Sequence, residues 1–501
     1  MSNDARRPCL LAVGALERDN FGDLLYPLLL EHVLAGAYDV SYGVPIEPQE
    51  PVALDERPAS WSELMENRAF DALWTVGGEV GATPPEYAYL TRFGVDEHKA
   101  LLDRGADEKE AALAAAMGGA VLDPPYIPRP SAFAKNATTP LVINSVGLSG
   151  IAHAASWRAP ALRAAVMEAT FVSVRDRASS AFLDEIAVAH RLAPDMAHII
   201  ARVRPRRRGE HGAALVHLSD HAFTTASPEE WAETVNDAVP SATPVRLFVA
   251  GLAPAHDSLH RLQAVQVSLR ELGREARISD ARGVWERTDE IAGASLWIGN
   301  SLHGRIVASA YGVPRVSLAK PKVDAYAADW DDAQPFAVKA ADLASAVERA
   351  LGSDPLPADH LADAAMENLR AAIDSLDPAR AADPVDVLRR RLTASSAAGA
   401  AMSSVARHLV GENSALDRAA ARADRAASQA ARAAQGRITA LEKAIASRDS
   451  ELIAITQSRR WRLFERVDAI RGAVRRSRAG SDALPQTAHD GLGRANDAAQ
   501  K

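Results

Sequence analysis

Short apolar runs alternate with amphipathic segments through the first 200 residues of the chain. The runs that predict buried strands span residues 9–13, 71–76, 141–146 and 171–174. Glycine or charged residues follow each run, and helical spacing of apolar residues follows most of them. This alternation is typical of parallel sheets with helical crossovers, so it predicts an α/β, Rossmann-like domain over residues 1–205. Residues 83–140 fit the pattern poorly and are predicted as an insertion.

A second series of the same kind follows the basic stretch at residues 202–211, which is predicted as a linker. Its predicted strands span residues 213–218, 245–250 and 294–298. Its predicted helices span residues 228–239, 258–272, 342–351 and 361–376. Two such series imply two Rossmann-like domains that face each other across a cleft, the second over residues 206–395.

The composition changes to alanine and arginine after about residue 395. Residues 396–478 are predicted as a helical extension, and residues 479–501 as a disordered tail. Apolar heptad positions that favour a short coiled coil are Ile438, Leu441, Ile445, Leu452 and Ile455. Residues 459–478 hold eight arginines against two acidic residues. This amphipathic pattern fits an ordinary solvated helix, or contact with a membrane surface or a coiled-coil partner through residues 438–478.

Composition and charge exclude several classes of protein. The one cysteine, Cys9, excludes an internal disulfide and a cysteine-based metal cluster, and it fits a cytoplasmic compartment. No apolar stretch reaches the roughly 18 residues of a membrane span. The formal net charge of −8 divides into −15 for residues 1–400 and +7 for residues 401–501. We therefore expect no nucleic acid, no metal and no cofactor, and at most peripheral contact with the inner face of the plasma membrane.

The densest candidate chemistry lies at residues 294–322. A short apolar strand meets Asn300 and Ser301, which favour helix N-caps, so His303 falls in a first helical turn at the carboxyl end of a parallel strand. The basic residues that follow are Arg305, Lys320 and Lys322. This arrangement suits proton transfer beside a bound anion, although a histidine in a first helical turn can also be only a capping or packing residue.

Loops after the predicted strands of the first domain carry further candidates for the cleft. They combine glycines, which allow a close approach of the backbone, with polar side chains. These candidates are Asn20, Gly22, Asp23, Gly77, Gly78, Glu79, Gly147 and Asp195. Arg175 follows the strand at residues 171–174 and is either an anion ligand or one half of a salt bridge.

Five short motifs follow one another along the first 330 residues. They are NFGD at residues 20–23, VGGEVG at 76–81, SVRDR at 173–177, APD at 193–195 and SLHGRIVASAYGVPRVSLAKPK at 301–322. Together they resemble the polysaccharide pyruvyl transferase family. The resemblance implies a two-domain, GT-B-like fold. It also implies transfer of the enolpyruvyl part of phosphoenolpyruvate to a saccharide or lipid-linked saccharide, usually as a ketal, in the synthesis of cell-surface polysaccharides.

Carried onto this sequence, the resemblance makes His303 the acid/base and Arg175 a ligand of the anionic donor. Two positions depart from the family pattern, because Ser301 replaces an arginine and Glu79 replaces a glycine. Arg305, one helical turn beyond Ser301, is a predicted substitute for the lost guanidinium. Two other readings stay open: a GT-B-type glycosyltransferase that uses a nucleotide-sugar held by Glu79 or Asp195, and a non-catalytic scaffold of a polysaccharide-synthesis complex.

Overall fold

The computed structural model describes most of the first 377 residues of the chain. The described residues are 6–377 except 50, 51, 53, 55, 82, 149, 151–157, 206–211, 255 and 354, and beyond them 387, 391, 435, 436, 439, 440, 443, 447, 450 and 466. Within this part the fold is α/β with parallel sheets, as the sequence predicts.

The first lobe is built on a sheet of seven parallel strands. Its strands are β1 (Cys9–Val13), β2 (Asp39–Val44), β3 (Ala59–Ser60), β4 (Ala72–Thr75), β5 (Leu141–Val146), β6 (Phe171–Val174) and β7 (Arg191–Leu192), in the spatial order β3-β2-β1-β4-β5-β6-β7. Its helices are α1 (Phe21–Leu34), α2 (Trp61–Asn67), α3 (Pro85–Phe93), α4 (Val95–Leu102), α5 (Ala106–Ala116), α6 (Arg158–Met167), α7 (Arg177–Glu185) and α8 (Ile200–Val203). Strands β1, β4 and β5 are buried along their whole length, because helices cover both faces of a parallel sheet.

The second lobe is built on a sheet of five parallel strands. Its strands are β8 (Ala214–His217), β9 (Val245–Leu247), β10 (Ala276–Ile278), β11 (Leu296–Gly299) and β12 (Arg315–Ser317), in the order β10-β9-β8-β11-β12. Its helices are α9 (Pro228–Ala238), α10 (Leu259–Glu271), α11 (Val284–Ala292), α12 (Leu302–Ala310), α13 (Pro321–Trp330) and α14 (Leu343–Gly352). A further helix, α15 (Asp359–Asp374), follows α14.

Both sheets contain a point where the order of the strands reverses. In the first lobe the chain moves outward from β1 to β3 and then returns to pair β4 with the other edge of β1. In the second lobe β11 returns in the same way to pair with β8. Loops that leave neighbouring strands in opposite directions open a crevice at such a point, which is where α/β proteins bind ligands.

Helix α1 is capped by Asn20, whose side chain accepts a hydrogen bond from the backbone N–H of Gly22. Asp23 therefore lies inside the first turn, and Pro27 lies further along the helix. The helix ends at Leu34, because Ala35 and the following residue adopt left-handed backbone conformations.

Helix α15 returns to the first lobe and packs on β5 and β6. Asn368 on this helix donates hydrogen bonds to Asn144 Oδ1 at 2.9 Å and Ser173 Oγ at 3.0 Å, and Leu369 is fully buried. The order of the predicted helices assigns this helix, as residues 361–376, to the second domain. That assignment is wrong, because helical spacing shows which face is apolar but not which sheet the face covers.

Residues 83–140 form the crossover between the neighbouring strands β4 and β5, with α3, α4 and α5 at its start. A parallel pair of strands requires a crossover connection, so the predicted insertion lies within this crossover.

The lobes contact each other through buried polar groups beside α1. Arg287 on α11 is fully buried and donates to both carboxylate oxygens of Asp19, at 2.8 and 3.2 Å. The backbone N–H of Phe21 donates to the carbonyl of Ala250 at 2.7 Å. These contacts hold the first turn of α1 against the second lobe.

The chain after residue 407 forms a separate compact unit. Those of its residues that are described, between 435 and 466, are helical. The predicted coiled-coil positions, nearly all of the basic segment at 459–478 and the tail at 479–501 lie outside the described residues. In the part of the chain that the structure describes, no helix combines the length and apolar character needed to cross a membrane. No group of three or more His, Cys, Asp or Glu residues in that part is arranged to hold a metal ion.

Candidate active site

A cavity of about 260 Å³ lies where the crevices of the two lobes meet. Loops after β1, β4 and β6 line it from the first lobe, and loops after β8, β9, β11 and β12 line it from the second. Polar and charged side chains dominate the lining. The cavity therefore fits a polar, charged ligand better than an apolar one.

His303 enters the cavity from the first turn of α12. Ser301 is the N-cap of this helix, because its hydroxyl accepts a hydrogen bond from Gly304 N–H. The imidazole reaches across to the first lobe, where its Nε2 lies 2.8 Å from the hydroxyl oxygen of Tyr26 on α1. The two rings meet edge to face, with centroids 5.2 Å apart.

The hydrogen bonds around Tyr26 fix the tautomer of His303. The Tyr26 hydroxyl donates to Asp195 Oδ2 at 2.6 Å, since a carboxylate can only accept. Arg175 Nη1 donates to the same hydroxyl oxygen at 3.0 Å. The remaining lone pair of that oxygen must therefore accept the proton of His303 Nε2. This leaves Nδ1 of His303 unprotonated, and Nδ1 makes no hydrogen bond to any residue that the structure describes.

Burial keeps three histidines near the site neutral. Burial lowers the pKa of His303 to about 4, and Asp195 opposes the shift whereas Arg175 adds to it. Burial likewise lowers the pKa of His198 and His256 to about 4. We call His198, His256 and His303 the low-pKa histidines. At neutral pH, the imidazole of His303 is thus uncharged.

Arg175 lies between two carboxylates. Its Nη1 donates to Asp195 Oδ2 at 3.0 Å, and its Nη2 donates to Glu79 Oε2 at 3.2 Å. Both readings of the sequence therefore apply to Arg175, because it lines the cavity and is also ion-paired. Gly147 permits this arrangement, since a Cβ there would lie 2.0 Å from Glu79 Oε2.

The other cations of the cavity come from both lobes. Lys320 and Lys322 line it from the second lobe. Burial lowers the pKa of Lys320 to about 8, and Lys322 adds to the shift. Arg18 lines the cavity from the first lobe and donates to Asp23 Oδ2 at 2.8 and 3.0 Å. Burial favours the neutral form of Asp23, but the charges of Arg18 and His303 and the hydrogen bond from Arg18 together outweigh it and lower the pKa of that carboxyl.

The predicted glycines shape the site from behind its polar surface. Gly22 lies against the imidazole, since a Cβ there would fall 1.7 Å from His303 Nδ1. Gly77 and Gly78 have φ of 132° and 91°, which favours glycine, and a Cβ on Gly77 would meet the Tyr26 ring. Asp195 is also buried behind the cavity, where it holds Tyr26 and Arg175. These residues position the lining and do not form its surface.

The structure places Arg305 away from the cavity, which corrects the prediction that it binds the anion. Its guanidinium donates to Ser317 Oγ at 2.9 Å and to the carbonyls of Asp331 and Gln334 at 2.7 and 2.9 Å. Successive helical residues are rotated by about 100°, so Arg305 lies about 200° around α12 from His303 and faces the core. It therefore cannot replace an arginine at Ser301.

Sequence reasoning missed several residues of the site. Tyr26 orients His303 and was overlooked inside an aliphatic helix. Arg18 precedes the NFGD motif, and His256 follows β9 in a loop with no recognisable motif. His217 and Asp257 also line the cavity and form a hydrogen-bonded pair at 3.1 Å. His217 ends β8, so the rule that points to carboxyl ends of parallel strands would have found it.

Solved structures similar to this chain include sugar-nucleotide enzymes. A putative UDP-N-acetylglucosamine 2-epimerase from Listeria monocytogenes has a TM-score of 0.42 and 10% sequence identity, over 74% of this chain and 96% of that chain. The UDP-GlcNAc 2-epimerase of Methanocaldococcus jannaschii, in complex with UDP-GlcNAc and UDP, has a TM-score of 0.40 and 9% identity, over 73% and 99%. The glycosyltransferase VinC in complex with dTDP has a TM-score of 0.31 and 13% identity, over 76% and 99%.

No curated protein matches the chain significantly in sequence. A family profile does match. The profile named Polysaccharide pyruvyl transferase aligns with residues 20–319, which are 300 of the 501 residues. These residues include every strand of both sheets except β1, and every residue that lines the cavity except Arg18, Lys320 and Lys322. This match confirms the resemblance seen in the motifs, and the chain belongs to the polysaccharide pyruvyl transferase family.

Proposed function

We propose that the protein transfers the enolpyruvyl part of phosphoenolpyruvate to a saccharide acceptor, which it leaves as a pyruvate ketal. The observation that carries the proposal is the meeting of a neutral, oriented His303 with the cations Arg175, Lys320, Lys322 and Arg18 at one cavity. Phosphoenolpyruvate is a small trianion, so it requires several cations at short range and a group that can move a proton.

Arg175 and the two lysines would contribute to donor binding in different ways. Arg175 presents a planar fork that suits a carboxylate or a phosphate, although Asp195 and Glu79 already share its protons. The pKa values of Lys320 and Lys322 are lowered, so these amino groups gain most from a bound anion. Donor binding favours the charged forms of both lysines and of His303, and it should therefore take up protons.

The first chemical step joins an acceptor hydroxyl to the donor. His303, which is charged once the donor is bound, gives a proton to C3, so the C2=C3 bond becomes single and the methyl group forms. The hydroxyl oxygen bonds to C2, and its proton returns to His303. A second acceptor hydroxyl then bonds to C2 while the C2–O bond to phosphate breaks, and its proton leaves with hydrogen phosphate. Tyr26 and Asp195 hold the imidazole in place through these steps.

A glycosyltransferase that uses a nucleotide-sugar is the second candidate function. The observation that favours it is Glu79, which places a carboxylate at the cavity wall and partly neutralises Arg175. Ser301 also stands where the family pattern has an arginine, and its hydroxyl already accepts a hydrogen bond as the helix cap. Both features weaken the site for a trianion and leave it suited to hydroxyl groups.

A thermal-shift experiment separates these functions. Phosphoenolpyruvate should raise the melting temperature of the full chain, whereas a panel of nucleotide-sugars should not. Arg175→Met should abolish the shift, and Arg177→Met, on an exposed neighbouring arginine, should preserve it. A shift with nucleotide-sugars alone would establish the glycosyltransferase function instead. The absence of any shift would favour a non-catalytic scaffold.

The proposal also places the protein in the cytoplasm, in contact with the inner face of the plasma membrane. It rests on the arginine-rich segment at residues 459–478, whose charge would attract anionic lipids. Lipid-linked saccharides, the acceptors that the family resemblance implies, are presented at that surface.

A further inference from the structure

A second histidine lines the cavity and has a polar atom that no described residue satisfies. His217 is the last residue of β8, and its side chain is 3% exposed. Its Nε2 lies 3.1 Å from Asp257 Oδ1, while its Nδ1 is buried without a hydrogen bond to any residue that the structure describes. The hydroxyl of Ser219, two residues further along the same cavity wall, is also buried and has no partner among those residues. Buried polar atoms are nearly always satisfied, so two such atoms at one wall point to an absent ligand.

The surroundings of His217 hold its ring in one orientation. The ring is stacked on Trp297, with centroids 6.1 Å apart and planes 13° apart, and Phe248 meets its edge. Asp257 is fixed as well, because its Oδ2 accepts the backbone N–H groups of Ala250 at 2.7 Å and Gly251 at 3.3 Å. Burial raises the pKa of Asp257, but His217 and these N–H groups outweigh burial and keep it below its usual range. Asp257 is thus an ionised acceptor.

The protonation of this pair selects the chemistry of the ligand. An ionised Asp257 can only accept, so His217 Nε2 carries the proton. In the neutral imidazole, Nδ1 then presents a lone pair. A carboxylate or a fully ionised phosphate has no proton to donate to that lone pair, whereas a hydroxyl group has one. The unpaired Nδ1 of His217 and hydroxyl of Ser219 therefore suit a polyhydroxylated ligand better than a trianionic donor.

We propose that His217, held by Asp257, binds a hydroxyl group of the saccharide acceptor at Nδ1 and acts as the base for that hydroxyl. The inference rests on the proposed function, because a ketal needs two acceptor hydroxyls and each must lose a proton. His303 and His217 both line the cavity. His303 serves the hydroxyl that adds to C2, whose proton replaces the one that His303 gives to C3.

His217 serves the hydroxyl that closes the ketal. The new bond forms between this oxygen and C2, and the bond between C2 and the phosphate oxygen breaks. The hydroxyl proton moves to His217 Nδ1 and from there to the departing phosphate, which leaves as hydrogen phosphate. No oxidant, reductant or further reactant is required.

Two substitutions separate binding from proton transfer. His217→Gln places an amide near the position of Nε2, so it keeps a partner for Asp257 and removes the group at Nδ1. His217→Asn places an amide near Nδ1, so it keeps a contact for the hydroxyl and removes the base. His260→Gln, on the exposed face of α10, is the matched control. The probes are the methyl glycosides of glucose, galactose and mannose, with binding measured by ligand-observed NMR and turnover by phosphate release from phosphoenolpyruvate.

We expect His217→Gln to weaken binding of the preferred glycoside about tenfold, and His217→Asn to change it by less than about twofold. Both should lower phosphate release by about 100-fold or more, and His260→Gln should change neither quantity. All variants should keep the thermal shift with phosphoenolpyruvate, which shows that the donor side is intact. Glycoside binding that is equal in His217→Gln and wild type, no glycoside binding by wild type, or normal turnover in His217→Asn would overturn the proposal. Glycoside binding through His217 without any response to phosphoenolpyruvate would instead refute the proposed donor and leave this subsite in place.

Discussion

The contact between Gly22 and His303 allows a test in which one added methyl group moves the base. In Gly22→Ala the new Cβ would lie 1.7 Å from Nδ1, 2.4 Å from Cγ and 2.6 Å from Cε1 of the imidazole. Non-bonded carbon and nitrogen atoms need about 3.5 Å, so the ring or the helix must shift by roughly 2 Å. Either shift breaks the 2.8 Å contact between Nε2 and the Tyr26 hydroxyl.

The effects on stability and on activity should differ in size. Alanine is favoured over glycine inside a helix by about 1 kcal/mol, which opposes a cost of about 1–3 kcal/mol for overpacking and about 1 kcal/mol for the lost hydrogen bond. The melting temperature of Gly22→Ala should therefore fall by only a few degrees. Turnover should fall by about 100-fold, because a displacement of 1 Å at a reacting group has that effect.

The assay is phosphate release from phosphoenolpyruvate in the presence of a methyl glycoside, with melting temperature measured on the same samples. Gly352→Ala is the control, since Gly352 also lies in a helix and a Cβ there would meet nothing within 4 Å. It should leave turnover unchanged. If Gly22→Ala turned over within about twofold of wild type, His303 would not act from the position that the structure gives it.

Further predictions concern the donor, the departures from the family pattern, pH and the arginine-rich segment. Arg175→Met should weaken phosphoenolpyruvate binding by at least tenfold in calorimetry, whereas Arg305→Met should lower the urea midpoint and leave that affinity unchanged; equal effects would contradict the separate roles. Ser301→Arg should tighten donor binding if the missing guanidinium matters, and an unchanged Kd would show that it does not. The low-pKa histidines bind protons near pH 6.5 when unfolded but only near pH 4 when folded, so the free energy of unfolding should fall as pH drops from 7 to 5, by at most about 2 kcal/mol each. Burial raises the pKa of Glu17 to about 7, so its protonation increases the free energy of unfolding over the same pH range and offsets the loss from one histidine. A urea midpoint that is equal at pH 7 and pH 5 would refute this balance. Deleting residues 459–501 should abolish salt-sensitive sedimentation with anionic liposomes and leave turnover on soluble glycosides intact; no binding by the full chain would exclude the membrane role.

The strands and the loops of the site could be predicted because both depend on local patterns. Apolar runs marked the buried strands, and the carboxyl ends of parallel strands meet in space, so Glu79, Arg175, His303 and Lys322 were expected together. The structure does bring these four side chains to one cavity. Helical spacing also excludes Arg305 from the cavity that His303 lines, because residues two apart in a helix do not share a face.

Other features depend on contacts that are distant in sequence, which no local pattern contains. The pairing of Tyr26 with His303 joins residues 277 positions apart, and neither residue has a neighbour in sequence that predicts the other. The pair of His217 and Asp257 joins the end of β8 to the loop after β9. The contacts of Asn368 with Asn144 and Ser173 could not be predicted either, because an amphipathic helix can cover either sheet. Single-sequence reasoning thus located the site but could not determine its hydrogen bonds.

The return of α15 to the first lobe bears on how the protein is made. The first lobe emerges from the ribosome before the second. Residues of α15 such as Leu369 and Ala372, which emerge later still, belong to the same apolar core as Leu10 and Trp74. Arg391 also donates to the carbonyl of Thr139 in the first lobe, at 2.8 Å. The lobe that begins the chain therefore stays incomplete until synthesis has passed the second lobe. We expect the nascent first lobe to depend on chaperones during that interval, and a chain that stops after α14 to be degraded although both of its sheets are complete.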